Sequence, residues 1–254
     1  MELDRGGVPI HYDVTGTGRA LLLSHGFGAS SHMFGPNRAA LGRDHTVITW
    51  DQRGHGASGA PADPAAYSAE LAIDDMAALL DAVGADRAVV GGHSLGGYLS
   101  LAFYLARPER VEALILIDTG PGFRNPEARA EWNRMAESYA ADLERRGLAA
   151  LGSSGELAAD VHQSATGLVN AARRVLPQRD AAVLESLPTI GVPVLVLVGA
   201  DDERFLAGAG YMAAKIPDAT LAVVAGAGHA PNVTHAAEFD AHVLTFLDRL
   251  EVSR

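Results

Sequence analysis

Apolar residues fall into two patterns along this chain, and each predicts a different element. Short, largely unbroken apolar runs occur at 20–24, 46–50, 88–91, 112–118, 192–198 and 220–224. Runs of that length without polar alternation predict strands buried on both faces. Residues 8–15 alternate only partly and end at Gly16-Thr17-Gly18. That predicts an edge strand followed by a turn, with Pro9 suited to an edge. Elsewhere the apolar positions space at three and four, the helical period. Over 68–83, Ala72, Ile73, Met76, Leu79, Leu80 and Val83 share one side, with Ser68 placed as N-cap and Gly84 as the C′ residue. Further helices are predicted at 33–41, at 95–106 ending before Pro108, in the segment closing over 211–216, and at 236–250 with Phe239, Val243, Phe246 and Leu250 inward.

Strands and helices therefore alternate with short connections, the signature of parallel βαβ units. The rhythm breaks after the strand at 112–118, and no convincing strand appears before 187. Asn125-Pro126-Glu127 starts a helix with a cap, an N1 proline and a first-turn acid. Trp132, Met135, Ala136, Tyr139 and Leu143 fall on one face of it, Gly147 closes it, and more helical segments follow between 156 and 187. Such an insertion is too long for a plain connection. It predicts a helical lid, 119–187, over the carboxyl ends of the strands of a core formed by 1–118 and 188–254.

Composition narrows the class. The 254 residues suffice for one large domain, and 48% are hydrophobic. A net charge of −11 argues against a nucleic-acid surface or a basic membrane anchor. The absence of cysteine excludes disulfides, thiolate metal sites and a cysteine nucleophile. No run approaches the roughly 20 apolar residues of a membrane span. The polar start, Met1-Glu2-Leu3-Asp4-Arg5, lacks the apolar run of a signal peptide, so a cytoplasmic location is expected.

Candidate chemistry centres on Gly92-His93-Ser94-Leu95-Gly96, between the apolar run Ala88-Val89-Val90 and a helix. A sharp strand-to-helix turn lifts a serine hydroxyl to where a base can reach it. Main chains crowd there, which suits Gly92 and Gly96. The motif alone is weak, since chance places it in roughly one chain in ten of this length. Its company strengthens it. His25-Gly26-Phe27-Gly28, the serine turn, Asp201-Asp202 and His229 each lie just past the carboxyl end of a predicted strand, the edge where open parallel sheets bind ligands. An acyl-transfer site needs a nucleophile, a base, an orienting acid and oxyanion donors, and the order here is Ser, Asp, His.

Four motifs carry a resemblance: His25-Gly26-Phe27-Gly28, Asp51-Gln52-Arg53-Gly54-His55-Gly56-Ala57-Ser58, Gly92-His93-Ser94-Leu95-Gly96-Gly97 and Gly228-His229. On these the chain resembles the α/β-hydrolases over nearly its whole length, in their serine-nucleophile, lidded branch. The resemblance implies an α/β fold with a mostly parallel twisted sheet, flanking helices and the lid inserted before the penultimate strand. It implies Ser94 as nucleophile and His229 as general base, with His235 a fallback. The family commonly places the acid three residues past the glycine ending its strand, which selects Asp202 over Asp201; Asp118, after the preceding strand, is a rarer location. The backbone N–H groups of Phe27 and Leu95 would form the oxyanion hole. Phe27, His93, Trp132 and Tyr139 are candidate pocket residues. The 51–58 stretch is expected to be a structural turn, with a metal at Asp51 and His55 a minor alternative. No cofactor and no metal are implied. The expected activity is hydrolysis of a carboxylic ester, or a related acyl bond, of a small to medium, largely apolar substrate. Carbon–carbon bond hydrolysis, enol-lactone opening, peracid formation and a menaquinone-type elimination use the same triad. A ligand-binding receptor on a hydrolase scaffold is the non-enzymatic alternative. Arg124, Arg173 and Arg174 are candidates for binding substrate carboxylates, although a solvated face suits them better. The expected partner is a small molecule, with no nucleic acid and no membrane; oligomeric state is open between monomer and homodimer.

Overall fold

In the computed structural model, which describes residues 1–152 and 161–252, eight strands form one sheet. In chain order these are β1 (Glu2–Asp4), β2 (Pro9–Thr15), β3 (Arg19–Ser24), β4 (His45–Trp50), β5 (Ala88–His93), β6 (Val111–Ile117), β7 (Val194–Gly199) and β8 (Ala219–Val224). The spatial order is β1-β2-β4-β3-β5-β6-β7-β8. From β4 to β8 every pairing is parallel, and β1 and β2 pair antiparallel at one end. The six apolar runs become β3 to β8; β3 to β7 lie almost entirely out of solvent, whereas β8, at the edge of the sheet, leaves Leu221 and Val223 exposed on one face, against the expectation of burial on both.

Alternation along each strand divides the core into two layers. Leu22, Val90, Leu114, Leu116 and Val196 face a layer holding Leu79, Leu80, Leu99, Phe103 and Met212. Leu21, Leu23, Val89, Ile115 and Leu195 face the opposite one, with Phe34, Leu41, Phe239, Val243 and Phe246. The first layer is contributed by α2 (Ala69–Ala82), α3 (Leu95–Ala106) and α7 (Glu203–Lys215), the second by α1 (Gly35–Leu41) and α9 (Ala236–Val252). Among the described residues no helix is long and apolar enough to cross a membrane.

The sequence expectations shift in several places. The 8–15 strand is not at the edge, because Glu2–Asp4 pairs with it outside as β1; three residues of mixed polarity are too short to read from pattern. The helix expected from 33 starts as a 3₁₀ turn, Ser31–Phe34, before α1. The helix seen only at its end over 211–216 begins at Glu203. A short α8 (Pro231–Thr234) follows the last strand's loop. Between β6 and β7 lie α4 (Pro126–Arg146), α5 (Ala165–Arg174) and α6 (Ala182–Ser186), with no strand among the described residues. The first part of the expected helical stretch, 156–160, falls outside the described residues. α4 and α5 pack on each other through a small core of Ala140, Leu143, Leu168, Val169 and Ala172, against which Phe27 also rests. Arg173 bridges Glu137 and Glu144 on their exposed outer side.

Topology places the site. From β3 the chain steps outward to β4 and then returns to the other side of β3 to lay down β5. The carboxyl ends of β3 and β5 therefore flank the point where the winding reverses, and a crevice opens there. The two backbones meet closely. A Cβ on Gly96 would collide with the Ser24 carbonyl oxygen, and one on Gly92 would collide with Gly96 itself. Gly210, in α7, has no atom near its would-be Cβ. Gly96→Ala should therefore lower stability by about 2–3 kcal/mol. Gly210→Ala should be neutral or stabilise by up to about 1 kcal/mol. Denaturant unfolding of both variants checks this, and equal effects would contradict the close approach.

Candidate active site

Ser94 caps α3 in a conformation rare for non-glycine residues, φ +52° and ψ −114°. Its main chain is anchored on both sides. The N–H donates to Ile117 O at 2.9 Å, and the carbonyl accepts from Gly97 and Tyr98 N–H at 3.1 Å each and from Thr119 Oγ1 at 2.6 Å. Its side chain makes no capping bond to the helix. Among the described residues the hydroxyl has no hydrogen-bond partner, and it lies at the start of α3, where the helix dipole favours negative charge.

His229 lies in the loop after β8, with Nδ1 2.7 Å from Asp202 Oδ2 in the loop after β7. Asp202 is buried, while the His229 side chain keeps about a third of its surface exposed, at 35%. Burial pushes the Asp202 carboxyl up, but the hydrogen bond and charge of His229 outweigh it and hold the group below the usual carboxylate range. Asp201 is exposed; its N–H holds Ala227 O at 2.9 Å. The structure therefore brings Asp202, not Asp201, to the imidazole. His235, the fallback base, sits on the surface beside Thr234.

Asp118, considered above as an alternative acid, is fully buried next to this pair. Among the described residues, Asp118, Asp202 and His229 form the one group of three whose potential ligand atoms all lie within 4.8 Å of one another. Among the described residues Asp51 and His55 belong to no such group; Asp51 Oδ1 accepts from Ser31 N–H at 2.6 Å and Oδ2 from Ala57 N–H at 2.9 Å. The 51–58 loop is a structural turn, sewn by Ser58 Oγ to Asp51 O.

The loop after β3 is pinned from beneath. His25 Nδ1 donates to Gly26 O at 2.7 Å and Nε2 accepts from Gln52 N–H at 3.0 Å, while Gln52 Nε2 donates to His25 O. Burial pushes His25 down to about 4, against the opposing charge of Asp51. His162 adds a second tie, its Nδ1 accepting from Gly56 N–H at 3.0 Å and its Nε2 meeting Gly28 O at 2.9 Å. Held in this way, the N–H groups of Phe27 and Leu95 have no hydrogen-bond partner among the described residues. Both remain available to an oxyanion.

His93 lies against the His229 ring, centroids 4.5 Å apart, and its Nε2 donates to the His229 carbonyl at 2.5 Å. Burial, reinforced by nearby His229, pushes it down to about 3. It stays neutral and holds the main chain of His229 in place.

Two chambers meet at Ser94. The larger, about 610 Å³, is lined by Leu95, Tyr98, Pro121, Phe123, Trp132 and Phe205, among others. The smaller, about 280 Å³, is lined by Phe27, His93, Tyr139, Leu143, Leu151 and His229, among others. Trp132, Met135, Leu176, Arg204 and Phe205 border both. Phe27, His93, Trp132 and Tyr139 all reach the cavity, and Tyr139 stacks on Phe27 at 6.0 Å. Trp132 is oriented by its Nε1 bond to Leu176 O. Arg173 is engaged with Glu137 and Glu144 outside, and neither Arg124 nor Arg174 lines a chamber. The cation that does is Arg204, which the sequence reading missed. It also missed Phe205, stacked on the His229 ring at 5.0 Å. Its place three residues past Asp202 was an available signal; Leu176 offered none.

A model of the alpha/beta hydrolase family matches residues 21–242. A protein of Variovorax paradoxus (strain S110) named as a carbamate hydrolase, RutD, is 33% identical over 96% of this chain and 97% of its own. A thermophilic esterase from Thermogutta terrifontis, solved with malate bound, superposes with a TM-score of 0.81 at 27% identity, covering 98% of this chain and 97% of that one. The enol-lactonase from Burkholderia xenovorans LB400 gives 0.78 at 26%, covering 98% and 100%.

The geometry predicts unequal effects at the two adjacent aspartates. Asp202→Asn should lower kcat by about 10⁴-fold, because the imidazole loses the partner that selects its tautomer. Asp201→Asn should stay within about twofold, as expected for an exposed loop carboxylate. Steady-state kinetics on an activated ester checks this, and a larger loss at Asp201 would contradict the assignment.

Proposed function

The chain belongs to the alpha/beta hydrolase family, and on that premise we propose that it is a serine hydrolase that cleaves a carboxylic ester or related acyl bond of a small, largely apolar substrate. The observation that carries this reading is the 2.7 Å bond from His229 to Asp202 at the wall of a chamber that Ser94 shares. His229 takes the Ser94 proton as the hydroxyl attacks the carbonyl, and Asp202 holds the ring and stabilises the imidazolium. The oxyanion is received by the N–H groups of Phe27 and Leu95, each donor being worth about 3 kcal/mol in the transition state. The leaving group departs with the proton from His229, giving an acyl-serine. Water activated by His229 then releases the acid. No step calls on a cofactor.

The two chambers divide the substrate. The leaving group must lie where His229 can protonate it, so it occupies the 280 Å³ chamber that His229 lines. The acyl portion takes the 610 Å³ chamber, among Tyr98, Phe123 and Trp132. On this reading 119–187 is a cap that shapes both chambers over a core of 1–118 and 188–254. Carbamates and lactones present the same electrophilic carbonyl, and the named relatives make them the next substrates to try.

A fluorophosphonate probe should label Ser94 in the folded protein. Ser94→Ala should abolish labelling and lower turnover of p-nitrophenyl butyrate by about 10⁴-fold or more. Across a panel of esters, lengthening the acyl chain should raise kcat/KM while enlarging the alcohol lowers it. An unlabelled wild-type serine, or unchanged turnover in the alanine variant, would sink the proposal; the opposite size preference would reverse the assignment of the chambers.

A further inference from the structure

Asp118 does no chemistry in the mechanism above, yet its placement is specific. It follows β6 with φ +43°, one of two positive-φ residues other than glycine among those described, the second being Ser94. Strain of this kind, about 1–3 kcal/mol, persists only where surrounding contacts over-determine it. Here the Asp118 N–H donates to Leu197 O at 2.9 Å, and Oδ1 accepts from Gly199 N–H at 2.9 Å. These bonds hook the end of β6 onto β7 and leave the second carboxyl oxygen, Oδ2, buried with no donor among the described residues. An oxygen of its carboxyl lies within 4.8 Å of one of Asp202, so the unpartnered Oδ2 sits in the neighbourhood of a second carboxyl.

Two ionised carboxylates cannot share such a site, so one carries a proton. The groups around Asp118 decide which. Asp202 already accepts from His229, which favours its charged form. Asp118 has a single N–H partner and no solvent contact. The titratable groups nearby are Asp202 on the loop after β7, His229 on the loop after β8 and the neutral His93 at the end of β5. Building on the triad reading above, we infer that Asp118 is a neutral carboxylic acid whose O–H donates to the Asp202 carboxylate, which makes it a positioning residue: it orients Asp202 as Asp202 orients His229. Burial, with the Asp202 contact adding to it against the Gly199 N–H, pushes the Asp118 carboxyl up to about 9. The catalytic chain then runs from Ser94 through His229 and Asp202 to a buried proton on Asp118.

Two measurements test this. Between the ordinary carboxyl value of 3.8 and about 9, folded Asp118 keeps a proton that the unfolded chain releases. Its contribution to stability therefore falls as pH rises through that window and levels off above it. The stability of wild type minus that of Asp118→Asn, measured by denaturant unfolding at several pH values, should decline steadily from acid to about pH 9. A difference that is flat from neutral pH upward means that Asp118 is ionised and overturns the inference. The second measurement is kinetic, with kcat expressed per serine titrated by a fluorophosphonate. Asp118→Asn, whose amide N–H replaces the acid's O–H, should keep kcat within about threefold and leave the pH profile of kcat/KM in place. Asp118→Ala should lower kcat by about ten- to a hundredfold, the loss expected for a hydrogen bond to a charged group, with KM unchanged. Wild-type kcat per titrated serine in the alanine variant would make Asp118 purely structural, and a displaced pH profile in the asparagine variant would make it a charge. Should the alanine variant fail to fold, the stability difference decides. Failure of wild type to label at Ser94 removes the triad, and with it the positioning role, even where the pH-dependent difference is present.

Discussion

Ser94 is held at φ +52° and ψ −114°, a conformation that costs a non-glycine residue about 1–3 kcal/mol. What offsets this is the surrounding sheet. Its N–H is captured by β6 at Ile117, and its carbonyl takes two N–H groups of α3 and the Thr119 hydroxyl. The turn closes only because β3 can approach where Gly96 has no side chain. The same approach sets the loop after β3 beside the serine: a Cβ on Gly26 would meet His93 and Ser94, and one on Gly96 would meet Ser24 and His25. The turn at Ser94, the loop beside it and the crevice therefore share one cause, the close meeting of β3, β5 and α3 where the winding reverses.

The histidines show how burial sorts identical side chains into different roles. His25, His55 and His93 are enclosed, and desolvation holds each below its ordinary value. Neutral rings offer one donor and one acceptor, and the structure uses them as main-chain connectors: His25 between Gly26 and Gln52, His93 against the carbonyl of His229. His229 differs in two respects. It keeps solvent contact through the smaller chamber, and it has a carboxylate on Nδ1. His93 has neither: it is buried, and its hydrogen-bond partner is the His229 carbonyl.

Much of this was legible in the sequence, because its causes are local. The glycines around Ser94 follow from the elbow's crowding, and the unbroken apolar runs follow from a sheet covered on both faces. Asp202 was separable from Asp201 only through a family spacing, since both are loop carboxylates until β8 brings His229 to one of them. The same limit hid Arg204, whose neighbours come from other elements, whereas Phe205 could have been found from its place three residues past Asp202. Leu176 reaches the cavity from the segment after α5, and no periodicity in its surroundings points there. β1 was missed for a different reason: three residues, Glu2–Asp4, carry too little pattern to separate a strand from a tail. Asp118 stood among the candidates as a rival to Asp202. The structure sets it beside that residue, and the competition becomes a partnership.

The chain thereby divides two tasks between different parts of the fold. Ser94, Asp118, Asp202 and His229 sit at strand ends or in the loops that follow them, anchored by the sheet. The chamber walls include side chains from α4 and the segment after α5, with Trp132 and Met135 bordering both cavities. Those helices are joined to each other by a small core of their own and by the Arg173 bridges outside it. Their inner faces can therefore change in size and shape without disturbing the strain at Ser94 or Asp118, which is set by β6 and β7. A scaffold divided in this way lets the walls of the cavity vary while the groups around Ser94 stay fixed.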